Sequence, residues 1–215
     1  EYDVSWKYNQ RNKTIKLSVK QTQKNPGNFK MPIQIQIDKE QHTVWIEDRE
    51  MTYELHADKR PEMVIFNAGM RVPCKVNFNK SITEWILQLE NGPHILDRIA
   101  AINELSTKKG RRKVESALLK AAENDPFWGL RKEAVNGFSK LKSKHYSEEL
   151  MALEKNQDNR VRRAIWNALK NYKKDESVSD FLQNVISTDK KYYSVADAFK
   201  ALVVVDTAAA RQLVE

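Results

Sequence analysis

Leu130-Arg131-Lys132-Glu133-Ala134-Val135-Asn136-Gly137-Phe138 lies over Val161-Arg162-Arg163-Ala164-Ile165-Trp166-Asn167-Ala168-Leu169 at an offset of 31 residues, with apolar side chains at matching places. A third, degraded copy, Ser194-Val195-Ala196-Asp197-Ala198-Phe199-Lys200-Ala201-Leu202, follows 33 residues further on. Each copy trails an acidic residue, Asp125, Asp158 and Asp189 in turn. Each therefore reads as one helix of a stacked pair. Repeats of this period predict an α-solenoid, because a single helix pair cannot bury its apolar face and must stack on the next. The Asp and Arg of each copy are placed to bond along the stack.

Working outward, the same helical spacing extends back to Ile95. Ile95, Ile99, Ile102 and Leu105 form one apolar stripe, and Val114, Ala117, Leu118 and Ala121 a second. Lys109-Gly110 and Asn124-Asp125-Pro126 break this half into short antiparallel helices. Before Asn91-Gly92-Pro93 the period is two. Ile15, Leu17 and Val19 share one face of a strand, and Ile33, Ile35 and Ile37 one face of another. His42-Thr43-Val44-Trp45-Ile46 and Met51-Thr52-Tyr53-Glu54-Leu55, split by Glu47-Asp48-Arg49-Glu50, read as a hairpin. Turn residues at Asn25-Pro26-Gly27-Asn28, Lys59-Arg60-Pro61-Glu62 and Asn67-Ala68-Gly69 suit a small sandwich of about seven strands. The expected fold class is β + α multidomain: an antiparallel β-sandwich over residues 1–91 followed by an α-solenoid over residues 92–215, HEAT-like by the family resemblance set out below.

Composition agrees with a folded chain. With 215 residues and 40% apolar side chains, it is long enough for one large or two small cores without disulfide or metal staples. No apolar run approaches the ~20 residues of a membrane span. The formal charge of +8 is concentrated in the second half, which carries +6 against +2 for residues 1–91. The chain opens Glu1-Tyr2-Asp3-Val4-Ser5 without an initiator Met or a signal-like segment, which reads as an excised piece of a longer protein. It closes Arg211-Gln212-Leu213-Val214-Glu215 without an obvious cap, so further helices are expected after Glu215. Localisation stays open between the cytoplasm and an exported compartment.

Several stretches carry a family likeness. Trp6-Lys7-Tyr8-Asn9, Leu17-Ser18-Val19-Lys20-Gln21-Thr22-Gln23, Phe29-Lys30-Met31-Pro32-Ile33-Gln34-Ile35 and Val64-Ile65-Phe66-Asn67 stand in the first half. Asp97-Arg98-Ile99-Ala100-Ala101 and Asp125-Pro126-Phe127-Trp128-Gly129-Leu130-Arg131 stand in the second. Together they resemble the C-terminal region of the gluzincin zinc aminopeptidases, peptidase family M-one, over nearly the whole chain. The resemblance implies a parent that removes N-terminal residues from peptides, with zinc held in a catalytic domain upstream of this chain. It also implies that this domain pair packs against that catalytic domain and restricts access to it, so that peptide substrates are met through the parent.

No catalytic or metal-binding position of that family maps onto these residues. A gluzincin site needs His-Glu-Xaa-Xaa-His and a further Glu; none of His42, His56, His94 and His145 begins such a motif. No cofactor is expected in this chain. Cys74 reads as a small strand residue, since a nucleophilic thiol needs a base and a depressed pKa. Phe127, Trp128 and Trp166 read as packing between repeats, and Trp6, Trp45 and Trp85 as structural. Arg131 and Arg162 are candidates to receive a peptide carboxylate from a concave helical surface, against the plainer reading of a ladder with Asp125 and Asp158. The run Lys108-Lys109-Gly110-Arg111-Arg112-Lys113 raises nucleic acid as a partner, but a solvated turn is the preferred reading. The expected role is thus non-catalytic. Its alternatives are a scaffold, as in the TATA-binding-protein-associated factor that resembles this family without its chemistry, and a basic nucleic-acid-binding solenoid.

Overall fold

The computed structural model describes residues 1–24, 27–155 and 157–214. The turn expected at Asn25-Pro26 and the terminal Glu215 lie outside the described residues. The chain divides into two compact units, Glu1–Ala101 and Ile102–Glu215.

The first unit holds the strands β1 (Tyr2–Asn9), β2 (Thr14–Gln21), β3 (Met31–Ile37), β4 (Glu40–Ile46), β5 (Glu50–His56), β6 (Val64–Phe66) and β7 (Val76–Phe78). They form two sheets, ordered β5-β2-β1-β7 and β4-β3-β6. Period-two burial sets the register: Val4 faces Val19 and Trp6 faces Leu17 across β1 and β2, so that Tyr2, Val4, Ile15, Leu17 and Val19 all turn inward. Ile33, Ile35, Ile37, Val44 and Ile46 do the same from the other sheet. The inner faces meet where the rings of Tyr2 and Phe66 approach to 5.4 Å between centroids.

Three features depart from the sequence reading. β7 pairs with β1 in parallel, at Tyr2 with Val76. β4 and β5 are not a hairpin: β4 pairs with β3 and β5 with β2, so the polar link between them crosses from one sheet to the other. The Tyr53 hydroxyl donates to the Trp45 carbonyl at 2.6 Å and pins that crossing. The third departure is α1 (Ile82–Asn91), a helix inside the region read as strands. Its signature is Ser81-Ile82-Thr83-Glu84: the Ser81 hydroxyl accepts from the Glu84 amide at 3.2 Å while the Glu84 carboxylate accepts from the Ser81 amide at 2.8 Å, a reciprocal cap.

α2 (Ile95–Leu105) runs across the division between the units. The second unit continues with α3 (Arg112–Asn124), α4 (Trp128–Leu141), α5 (Ser147–Leu153), α6 (Asn159–Leu169), α7 (Glu176–Thr188), α8 (Tyr192–Val205) and α9 (Thr207–Gln212). α3/α4, α5/α6 and α7/α8 are antiparallel pairs with short links. The two layers differ: α4 packs broadly on α6 and α6 on α8, whereas α3, α5 and α7 touch one another only lightly. The inner layer is built from Leu130, Val135, Phe138, Val161, Ile165, Trp166, Leu169 and Leu202, each 0–1% exposed. Burying one side chain of that size contributes roughly 2–3 kcal/mol. Gly137 is required there, because a Cβ would stand 2.7 Å from a methyl of Ile102.

Candidate functional site

The repeat places the same device at the start of each inner helix. The Asp125 carboxylate accepts from the Phe127 amide at 2.9 Å, Asp158 from Arg160 at 2.9 Å and Asp189 from Lys191 at 2.8 Å. Asp206 repeats it with Ala208, at 3.1 Å, before α9. Asp158 and Asp206 are thereby the N-caps of α6 and α9, while Asp125 and Asp189 each hold the amide of the residue just before α4 and α8.

The arginines of the copies complete a ladder along this edge. Arg162 stands between two carboxylates: its guanidinium pairs with Glu154 and lies 2.9 Å from Asp189 of the next repeat. Arg131, the equivalent residue one repeat earlier, donates to the Gln157 side chain at 2.8 Å and to the Asp125 carbonyl at 2.7 Å. Arg163 pairs with Asp197 at 2.5 Å. Arg162 is thus occupied by two anions, and Arg131 by neutral oxygens.

Aromatic residues border the ladder. Arg160 stacks at 3.3 Å over the Trp128 ring, and Arg163 lies 5.9 Å from the ring of Tyr193. Of the three aromatics read as inter-repeat packing, Trp166 is fully buried while Phe127 is 38% exposed. Trp128 is half-covered, by Arg160. Tyr192 and Tyr193 are 81% and 70% exposed. An aromatic at a helix start projects over the turn before it, which is the rim rather than the core. Trp45 likewise faces solvent, being on the outer side of β4, while Trp85 is buried and Trp6 donates to Glu84 at 2.9 Å.

In the first unit a buried polar network ties α1 and α2 to the loop after β6. Lys80 lies 4.4 Å from the Trp85 ring and donates to the Gln88 side-chain amide oxygen, and the Gln88 amide nitrogen in turn donates to the Asp97 backbone carbonyl at 2.7 Å. The Asp97 carboxylate accepts from the Gly69 amide at 2.8 Å, and its other oxygen is buried with no hydrogen-bond partner. Burial lowers the Lys80 ammonium to about 7, partly opposed by Glu84 and Asp97. Burial also raises the Asp97 carboxyl, against the Gly69 amide. Sequence reading noted Asp97 within Asp97-Arg98-Ile99 and missed Lys80, whose burial has no local signature. Asn67 clasps the same loop, donating to the Val72 carbonyl at 2.7 Å and to the Cys74 sulfur at 3.3 Å. Cys74 lies in the segment before β7, not in a strand, and burial raises its thiol.

The residues present do not fit a zinc ion. Among the described residues no group of three or more His, Cys, Asp and Glu could hold a metal. His42 is 3.6 Å from Glu40, and His56 is 3.4 Å from Asp58, which Lys13 also pairs at 3.3 Å.

The family model for HEAT repeats matches residues 115–203. The helical region is HEAT-like. No curated protein matches the chain. Among solved structures, Legionella pneumophila aminopeptidase A in complex with aspartic acid is similar over 99% of this chain and 28% of its own length, at 17% identity and a TM-score of 0.45. The chain thus spans little more than a quarter of that protein's length.

Proposed function

We propose that this chain is a non-catalytic domain pair of a zinc aminopeptidase of family M-one, where it supports the catalytic domain and restricts access to it. One observation carries the reading: several residues within the stretches that bear the family resemblance hold the fold, although Phe29 and Phe127 in them are exposed. Leu17 and Ile33 are completely buried, Asn67 clasps Val72 and Cys74, Asp97 holds the Gly69 amide, and Asp125 holds the Phe127 amide just before α4. A likeness concentrated at such positions is what a shared architecture leaves in a sequence. The engagement of Arg162 by Glu154 and Asp189 gives that arginine a structural task in the same scheme. In the parent, a zinc-activated water and its base come from the catalytic domain, and this chain supplies shape.

The test uses the longer protein from the source organism, assayed for release of the N-terminal residue from short peptides with and without a chelator. Chelator-sensitive release, with the 215-residue chain alone inactive, is the expected result. A longer protein that holds no zinc and releases no amino acid would move the assignment to a scaffold.

A further inference from the structure

The run Lys108-Lys109-Gly110-Arg111-Arg112-Lys113 taken alone reads as a solvated turn; in the structure it is the first of three. Gly110, Lys142 and Lys174 all have left-handed backbone, with φ of 67°, 54° and 62°, and are separated by 32 residues each time. Each sits in the turn that follows α2, α4 or α6 and leads to α3, α5 or α7. Around them stand the first run, then Lys142-Ser143-Lys144, then Lys173-Lys174.

The three turns occupy one edge. Tyr146, in the second turn, and Ser116 of α3 line one groove, which sets the second turn beside the first turns of α3. The Asn171 side-chain amide donates to the Ser139 carbonyl at 2.9 Å, joining the third turn to the end of α4, from which the second turn leaves. No Lys or Arg of these turns is ion-paired among the described residues, whereas Arg160, Arg162 and Arg163 at the opposite edge all are. Six acids stand nearby, Glu104, Glu115, Glu148, Glu149, Asp175 and Glu176, and keep their charge when hydrogen-bonded, against nine Lys and Arg in the three turns, so the edge retains a net positive charge.

We propose that this edge is a landing surface for the phosphate backbone of duplex nucleic acid. Neighbouring helices lie about 8–10 Å apart, so three turns spread their cations over roughly 20 Å, the rise of about six base pairs. No large exposed apolar side chain stands in the three turns, and Tyr172 is 6% exposed. The edge therefore has nothing to insert into a bilayer and no platform on which unpaired bases could stack. It is built to neutralise phosphates without reading sequence.

The experiment measures fluorescence anisotropy of a labelled duplex of about 20 base pairs with the 215-residue chain, between about 50 and 200 mM salt. Binding should weaken with salt at a log–log slope of about −5 or steeper. The variant Lys109→Glu, Arg111→Glu, Lys144→Glu, Lys173→Glu spares the left-handed Lys142 and Lys174. It should bind at least about 50-fold more weakly at low salt, with a slope shallower by about 3 to 4. The control Lys7→Glu, Lys16→Glu, Lys24→Glu, Lys30→Glu makes the same charge change on exposed residues of the first unit and should keep most of the affinity. Equal weakening by both variants, at unchanged melting temperature, would reduce the effect to net charge and overturn the proposal. So would absence of duplex binding at the lowest salt, or binding to phosphatidylserine vesicles without binding to duplex. None of these outcomes bears on the peptidase reading, which the activity assay decides separately.

Discussion

The Arg162 guanidinium lies 2.9 Å from the Asp189 carboxylate while also pairing with Glu154. One cation therefore joins α5, α6 and the turn before α8. All three side chains are largely covered, at 24%, 16% and 7% exposure for Arg162, Glu154 and Asp189. Removing the cation leaves two shielded carboxylates beside each other. Arg162→Leu should destabilise the chain by about 3 kcal/mol in urea unfolding, because breaking a covered ion pair costs more than the pair contributes. Adding Asp189→Asn and Glu154→Gln should recover part of that loss. A loss below about 1 kcal/mol for Arg162→Leu would mean the ladder is decorative.

The cap at α6 makes a prediction about acidity. The Arg160 side chain and backbone amide hold the Asp158 carboxyl at about 2. In Arg160→Ala, with the guanidinium gone and the amide kept, the carboxyl should move up toward the ordinary aspartate range. Carbon-detected NMR titration of Asp158 reads this directly, and an unchanged midpoint would assign the shift to the amide alone.

Lys80 should give the chain an unusual alkaline dependence. Its ammonium titrates at about 7 when folded and near 10.5 when unfolded, so between those values the unfolded chain binds more protons and stability rises with pH. The gain from pH 7 to pH 9 should be about 2 kcal/mol. Lys80→Met keeps the slot between Phe78 and Trp85 filled and should flatten the rise. A wild-type profile already flat over that range would show the ammonium to be hydrated.

Gly69 and Gly110 separate backbone strain from crowding. Both have positive φ, 73° and 67°, but a Cβ on Gly69 would stand 3.2 Å from the His94 ring while one on Gly110 meets nothing within 4 Å. Gly110→Ala should cost about 1 kcal/mol from backbone alone. Gly69→Ala should cost more, and His94→Ala should reclaim only the excess, as read by thermal melting.

Much of this architecture was legible in the residues. Ile15, Leu17, Val19, Ile33, Ile35 and Ile37 face inward as their alternation requires, and the 31-residue offset located α4 and α6. Periodicity says which face is buried but not which strand is the partner, so the link from Ile46 to Glu50 was read as a hairpin when it changes sheets. Ser81-Ile82-Thr83-Glu84 carries the complete cap signal of α1, which strand periodicity over residues 1–91 passes over. The ladder was half-visible: Arg and Asp were paired correctly in kind, yet Arg162 reaches forward to Asp189, and Arg131 uses the Asp125 carbonyl instead of its carboxylate. Lys80 could not be found at all, since its environment is assembled from Phe78, Trp85, Gln88 and Asp97.

The unequal layers of the helical unit have a mechanical meaning. α4, α6 and α8 form a continuous, closely packed spine, and α3, α5 and α7 ride on it with little mutual contact. Arg162 and Arg163 bolt the spine lengthwise through Asp189 and Asp197. Under a bending load the spine acts as the inextensible side of a beam, and curvature changes by opening or closing the gaps between outer helices. The unit is stiff to sliding and twisting at the spine and soft to flexing about it, as a leaf hinge is.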